Sequence, residues 1–195
     1  MDTDFIKKYL SEVKRCVDEI MVEKIQNVVD ILYKAYLDKR QVFIMGNGGS
    51  ASTASHFACD LGKNVAAQGK ERFRVMSLND NIAHFSAIAN DFGYENVFVE
   101  QLKNLLNEDD VVILITASGN SPNILKAVDY ANEVGAHSIG FIGFGGGKLA
   151  ARVKDTIVLS DKNYALVEDI HMVLCHMISS TLKEKISKGH QIHKQ

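Results

Sequence analysis

The amino-acid sequence predicts an α/β protein, a parallel sheet covered on both faces by helices. Two observations carry this expectation. From residue 41 onward, short apolar runs alternate with helix-periodic segments, the pattern that builds parallel sheets through crossover connections. Two of those runs also end in serine-bearing glycine turns that lead straight into helical sequence.

Residues 4–38 precede the alternation and read as two amphipathic helices. Phe5, Ile6, Tyr9, Leu10, Val13, Cys16, Val17 and Ile20 follow a helical period, as do Val22, Ile25, Val28, Val29, Leu32 and Tyr36. The strand candidates are 41–45, 72–78, 111–115, 137–142 and 155–159. Helices are expected over 50–63, 81–90, 94–106, 122–134, 147–152 and 165–187. No linker or repeat interrupts them, so 1–195 reads as one domain: a helical pair over 1–40 and an α/β core over 41–195.

Composition narrows the function. Hydrophobic residues make up 46% and charged residues 24%, which suits a globular chain able to bury a core. The net charge of −2, from 22 basic and 24 acidic residues, demands no nucleic-acid partner. Cys16, Cys59 and Cys175 are odd in number and lack CxxC spacing, which argues against a disulfide framework. The N-terminus is charged from Asp2 and has no apolar signal core, and no run approaches the ~18 apolar residues of a membrane span. A cytoplasmic protein without membrane partners is expected.

The first glycine turn is Gly46-Asn47-Gly48-Gly49-Ser50, after Val42 to Met45. The second is Thr116-Ala117-Ser118-Gly119-Asn120-Ser121, after Val111 to Ile115. A strand, a glycine turn and a helix start place backbone N–H groups and hydroxyls around an anion, with the positive helix end behind them. Neither turn reads GxxxxGK[ST] or fills the GxGxxG spacing, which moves the expectation from a nucleotide to a sugar phosphate. Pro122, the single proline, suits the first helical position. Ser121 is then either a plain N-cap or a phosphate contact. Gly145-Gly146-Gly147 reads as a flexible turn before a short helix.

His56 and Asp60 lie four residues apart and share a face of the 50–63 helix. That spacing serves a metal, an acid/base pair or a simple hydrogen-bonded surface pair. The C-terminal helix adds Glu168, Asp169, His171 and His176. His176, between Cys175 and Met177 in an apolar run, is expected to be buried, as a core histidine or as a ligand.

The segments GNGGSASTASHFACDL, Ala89-Asn90-Asp91-Phe92-Gly93-Tyr94, TASGNSPN and VEDIHMVLCH resemble the bacterial phosphoheptose isomerases of the sugar isomerase (SIS) domain group. The resemblance is collinear over nearly the whole chain. It implies an SIS-type three-layer sandwich with a five-stranded parallel sheet and two extra N-terminal helices, assembled as a homotetramer with active sites between subunits. It implies conversion of sedoheptulose 7-phosphate to D-glycero-D-manno-heptose 7-phosphate, towards nucleotide-activated heptose for surface polysaccharides, with Zn²⁺ in many members.

Carried over by position, Thr116, Ser118 and Ser121 meet the phosphate, with Asn47, Gly48 and Ser50 nearby, and Asp91 contacts the sugar. His56, Asp60, Glu168 and His176 stand at metal-ligand positions, with Asp60 as candidate base, His176 as candidate acid and Glu168 also beside the substrate. Asp60 replaces the usual glutamate, Glu168 a glutamine, Asn64 an arginine and Ala165 an aspartate. These departures cluster in the chemistry and spare the phosphate turns. Two other readings accompany the isomerase: an isomerase of another ketose phosphate, and a non-catalytic SIS module that binds sugar phosphates or bridges a replication initiator.

Overall fold

A computed structural model describes residues 2–66 and 71–188. Helices α1 (Asp2–Asp18) and α2 (Val22–Leu37) precede β1 (Gln41–Gly46), α3 (Gly49–Cys59) and β2 (Arg74–Ser77). Then come α4 (Ile82–Phe92), α5 (Val99–Leu105), β3 (Val111–Thr116), α6 (Pro122–Val134), β4 (His137–Ile142), β5 (Asp155–Val158) and α7 (Tyr164–Lys188). The five strands form one parallel sheet in the order β2-β1-β3-β4-β5. The chain direction across the sheet reverses between β1 and β3, so their carboxyl ends flank a crevice where such sheets bind ligands.

The sheet is apolar on both faces because the strand period of two feeds both layers. Val42 and Ile44 of β1 join one core with Val28, Leu32, Phe57, Ile170 and Leu174 from α2, α3 and α7. Phe43 and Met45 join the other with Ile88, Leu102, Ile124 and Val128 from α4, α5 and α6. β3 lies at the centre of the sheet and is buried along its whole length. Helix α1 docks on α7 through the Tyr9 hydroxyl, which donates to Asp169 Oδ2 at 2.6 Å, and on the segment before α7 through Arg15, which reaches Asp161 at 2.5 Å. No helix among the described residues is long and apolar enough to cross a membrane.

Three expected elements differ. The 94–106 helix is a 3-10 turn, Tyr94–Asn96, followed by α5, because side-chain amides compete for the backbone there: Asn96 donates to the Phe92 carbonyl and buried Gln101 to those of Leu78 and Val97. The 147–152 helix is a chain of turns. The helix begun at Gly49 ends in a π-helical turn, Asp60–Asn64, closed by the Val65 N–H donating to the Asp60 carbonyl at 3.0 Å.

The histidine enclosed by the core is His171, where burial had been expected for His176. His171 is fully buried on α7, and neither ring nitrogen has a hydrogen-bond partner among the described residues. Burial disfavours the imidazolium and holds its pKa down at about 4, against an ordinary 6.5. As pH falls below 6.5 the unfolded chain takes the proton and the folded one does not, so stability is lost progressively down to about pH 4. His171→Leu removes this loss. Its stability advantage over the wild type should therefore grow by about 2 kcal/mol between pH 7.5 and pH 5 in urea unfolding. An advantage that stays constant over that interval contradicts the assignment.

Candidate active site

Both glycine turns stand at the crevice. β1 and β3 pair directly, with Gly46 opposite Ile115, so the turns that follow them are neighbours. Gly48 caps α3 with φ +56°, a conformation that favours glycine, and Gly48 and Gly49 are exposed while Ser50 is buried. The turns are tied together by a side-chain pair. Asn47 Nδ2 donates to Asn123 Oδ1 at 2.9 Å, and Asn123 Nδ2 returns a bond to Asn47 Oδ1 at 2.8 Å. The Tyr94 hydroxyl is a second donor to Asn47 Oδ1, at 2.9 Å.

The three hydroxyls of the second turn take different tasks. Thr116 is buried, and its Oγ1 accepts from the Gly119 N–H at 3.3 Å, bracing the turn from within. Ser118 Oγ accepts from the Asn120 N–H at 3.2 Å, which leaves its own proton to donate outward. Ser121 is the N-cap of α6 but makes no side-chain cap bond, so its hydroxyl is not spent on the helix start, where Pro122 has no N–H and that of Ile124 donates to Asn123 Oδ1 at 3.0 Å. The third glycine run backs this turn. The Lys148 N–H donates to Asn120 Oδ1 at 3.1 Å and the Leu149 N–H to the Gly119 carbonyl at 3.0 Å. Gly147 has φ +53°, and a Cβ there would lie 2.4 Å from the Ser118 carbonyl oxygen. Donors spent on the neighbouring turn, with positive φ at Gly145 to Gly147, account for the missing 147–152 helix.

Along α3 and α7 the metal-type residues converge. His56 Nε2 lies 2.9 Å from His176 Nε2, and their rings meet edge to face at 4.9 Å between centroids. Asp60 Oδ2 is 3.4 Å from His56 Nε2 and 3.8 Å from His176 Nε2. These separations bracket the ~3.4 Å edge of a tetrahedron whose ligands lie about 2.1 Å from its centre, so the donor set fits a divalent ion such as zinc. The fit requires both rings to carry their protons on Nδ1. Asp60 is 5% exposed, whereas the side chains of His56 and His176 are 43% and 54% exposed. His176 is thus open, contrary to the burial expected from its neighbours, because it faces α3 at the margin of the core.

Glu168 does not join this group. A Cβ on Gly49 would lie 2.3 Å from Glu168 Oε2, so the carboxylate packs on the first residue of α3. There it faces the positive end of the helix. The expected fourth ligand instead borders the first glycine turn. Asp91 is exposed near the end of α4, with Asn90 Nδ2 donating to its Oδ1 at 2.8 Å, and no described contact joins it to the other candidates. Asn64 and Asp60, two of the positions that depart from the pattern the sequence resembles, touch each other: Asn64 Nδ2 donates to Asp60 Oδ1 at 2.5 Å.

Comparison with known proteins agrees with this architecture. The SIS domain family matches residues 5–143. A probable phosphoheptose isomerase of Thermoplasma acidophilum is 33% identical over 92% of this chain and 98% of its own length. The phosphoheptose isomerase of Aquifex aeolicus is 33% identical over 90% of this chain and 92% of its own. The solved phosphoheptose isomerase of Neisseria gonorrhoeae aligns with a TM-score of 0.87 and 27% identity, covering 94% of this chain and all of that one. The chain belongs to the SIS domain family, among the phosphoheptose isomerases.

Sequence reasoning did not assign a role to Asn123 or Tyr94. Asn123 stood in the TASGNSPN segment, but nothing local shows that its amide pairs with Asn47. The pair makes a stability prediction. Asn123→Ala leaves both polar ends of the half-buried Asn47 without that partner and should cost about 1–3 kcal/mol in denaturant unfolding. Tyr94→Phe removes one of two donors to an exposed edge and should cost less than about 1 kcal/mol. Equal costs contradict the pairing as the tie between the turns.

Proposed function

We propose that this protein isomerises sedoheptulose 7-phosphate to D-glycero-D-manno-heptose 7-phosphate through an enediolate. The observation that carries the reading is the convergence of His56, Asp60 and His176 on adjoining helices, on a framework whose switch point carries two glycine turns. The relatives named as phosphoheptose isomerases support the same substrate class.

The phosphate sits at the second turn, against Ser118, Ser121 and the Asn123 N–H at the start of α6, with Thr116 bracing the turn. The N-terminus of α3 already faces the Glu168 carboxylate, so it disfavours a second anion. Asn47, Gly48, Ser50 and Glu168 then border the sugar, as does Asp91. The exchange moves one proton from C1 to C2 and one between the two oxygens. Asp60 Oδ2 takes the carbon-bound proton and returns it through the lone pair that does not face the histidines, since Oδ1 is held by Asn64. The open ring of His176 serves the oxygens. His56, Asp60 and His176 would hold a zinc ion, which would supply a Lewis acid to lower the cost of negative charge on the substrate oxygens. A set of three protein donors is the number that catalytic zinc sites use.

The protein assembles as a homotetramer in this reading, and its setting is heptose production in the cytoplasm. Phe5, Ile6 and Leu10 of α1 are 70%, 57% and 63% exposed, an apolar stripe that burial against another copy would cover.

Product analysis tests the function. The purified protein should convert sedoheptulose 7-phosphate to the heptose 7-phosphate, and a chelator should lower the rate at least tenfold, with zinc restoring it. Ser118→Ala/Ser121→Ala should raise KM about tenfold or more. Light scattering should find four times the 21.6 kDa chain. Absence of product, with and without added zinc, overturns the proposal.

A further inference from the structure

We propose that Asn64 is a positioning residue that aims the Asp60 carboxylate at the histidine pair. The proposal rests on the reading of Asp60 as a group of the reaction centre. Asp60 is 5% exposed, and a buried carboxylate needs hydrogen-bond donors. Among the described residues, two side chains offer them. Asn64 Nδ2 lies 2.5 Å from Oδ1, whereas Ser179 Oγ lies 3.5 Å from Oδ2. The Ser179 hydroxyl also stands 3.2 Å from the His176 carbonyl, and it has only one proton to give. Asn64 is therefore the principal donor to this carboxylate.

The bond has a directional consequence. With Oδ1 held by the amide, rotation of the carboxylate is stopped with Oδ2 towards His56 and His176, at 3.4 and 3.8 Å. An aspartate has two side-chain torsions to fix, and packing fixes only part of them. The π-helical turn Asp60–Asn64 supplies the second anchor: it carries both residues, so the same local backbone that presents the carboxylate presents its donor. Single π turns inside α-helices recur at functional sites for this kind of reason. Groups that orient a ligand from behind commonly change metal affinity or activity 10–100-fold when removed.

Asn64 is exposed, so substitutions there leave the core untouched. The full-length wild type, Asn64→Leu and Asn64→Gln are compared. Zinc affinity is read by competition with a chromophoric chelator, and the Co²⁺-loaded forms by their visible absorption. Kinetics with sedoheptulose 7-phosphate give kcat and KM separately. Asn64→Leu should bind zinc roughly 10–100-fold more weakly, shift the Co²⁺ bands and lower kcat by a similar factor, with KM changed less than about twofold. Asn64→Gln, which keeps the amide donor, should recover part of the affinity and of kcat. Matching zinc affinity, Co²⁺ spectrum and kcat in wild type and Asn64→Leu overturns the positioning role while leaving the isomerase reading intact. A wild type that takes up no metal and turns over no sugar phosphate overturns the isomerase reading, and this inference with it.

Discussion

The packing of α3 against α7 is the contact on which the rest of the site depends. The two helices run in the same direction, Gly49 meeting Glu168 at one end and His56 meeting His176 two turns further along. One line of contact thus sets both the border of the first glycine turn and the histidine pair. Neither imidazole is held by burial of its own ring. Their 2.9 Å approach is imposed by backbones that the core fixes through Phe57, Val167, Ile170 and Leu174. Gly49 sets the spacing at the other end, since any side chain there would displace the Glu168 carboxylate.

Electrostatics divides the labour between the two helix starts. Each would attract an anion to the carboxyl edge of the sheet, although at α6 Pro122 has no N–H and that of Ile124 donates to Asn123 Oδ1 at 3.0 Å, which leaves the Asn123 N–H. At α3 a carboxylate from the protein is already present. At α6 the cap serine makes no cap bond and the neighbouring serine still has a proton to give. The proposed phosphate site is therefore assigned to α6. The Asn47–Asn123 pair, from the two sides of the switch point, keeps the starts in register.

Much of this was legible in the sequence, and what was not has physical causes. The alternation of Val42, Phe43, Ile44 and Met45 into two cores is what a parallel strand in a three-layer protein must show. The glycine turns were legible because a strand end, a tight turn and a helix start each leave a local signature. The i, i+4 spacing of His56 and Asp60 was also local. Their partner His176 is 120 positions away, and only the fold joins them. Flanking residues misled about burial on α7, because a helix turns 100° per residue: Cys175 faces the core while His176 faces α3. The π turn at Asp60–Asn64 left no sequence mark, so the bond between those two residues became visible only in the structure. The 147–152 segment has helical composition, yet its donors serve the turn beside it.

X-ray absorption at the zinc edge addresses the three-donor centre most directly. The tail residues His190 and His193 can scavenge metal, so the protein carries His190→Ala and His193→Ala for this purpose. One zinc per chain, with two imidazoles and oxygen donors at about 2.0–2.1 Å, is the result that His56, Asp60 and His176 predict. Zinc well below one per chain after supplementation, or a shell without two imidazoles, would contradict a centre built by α3 and α7.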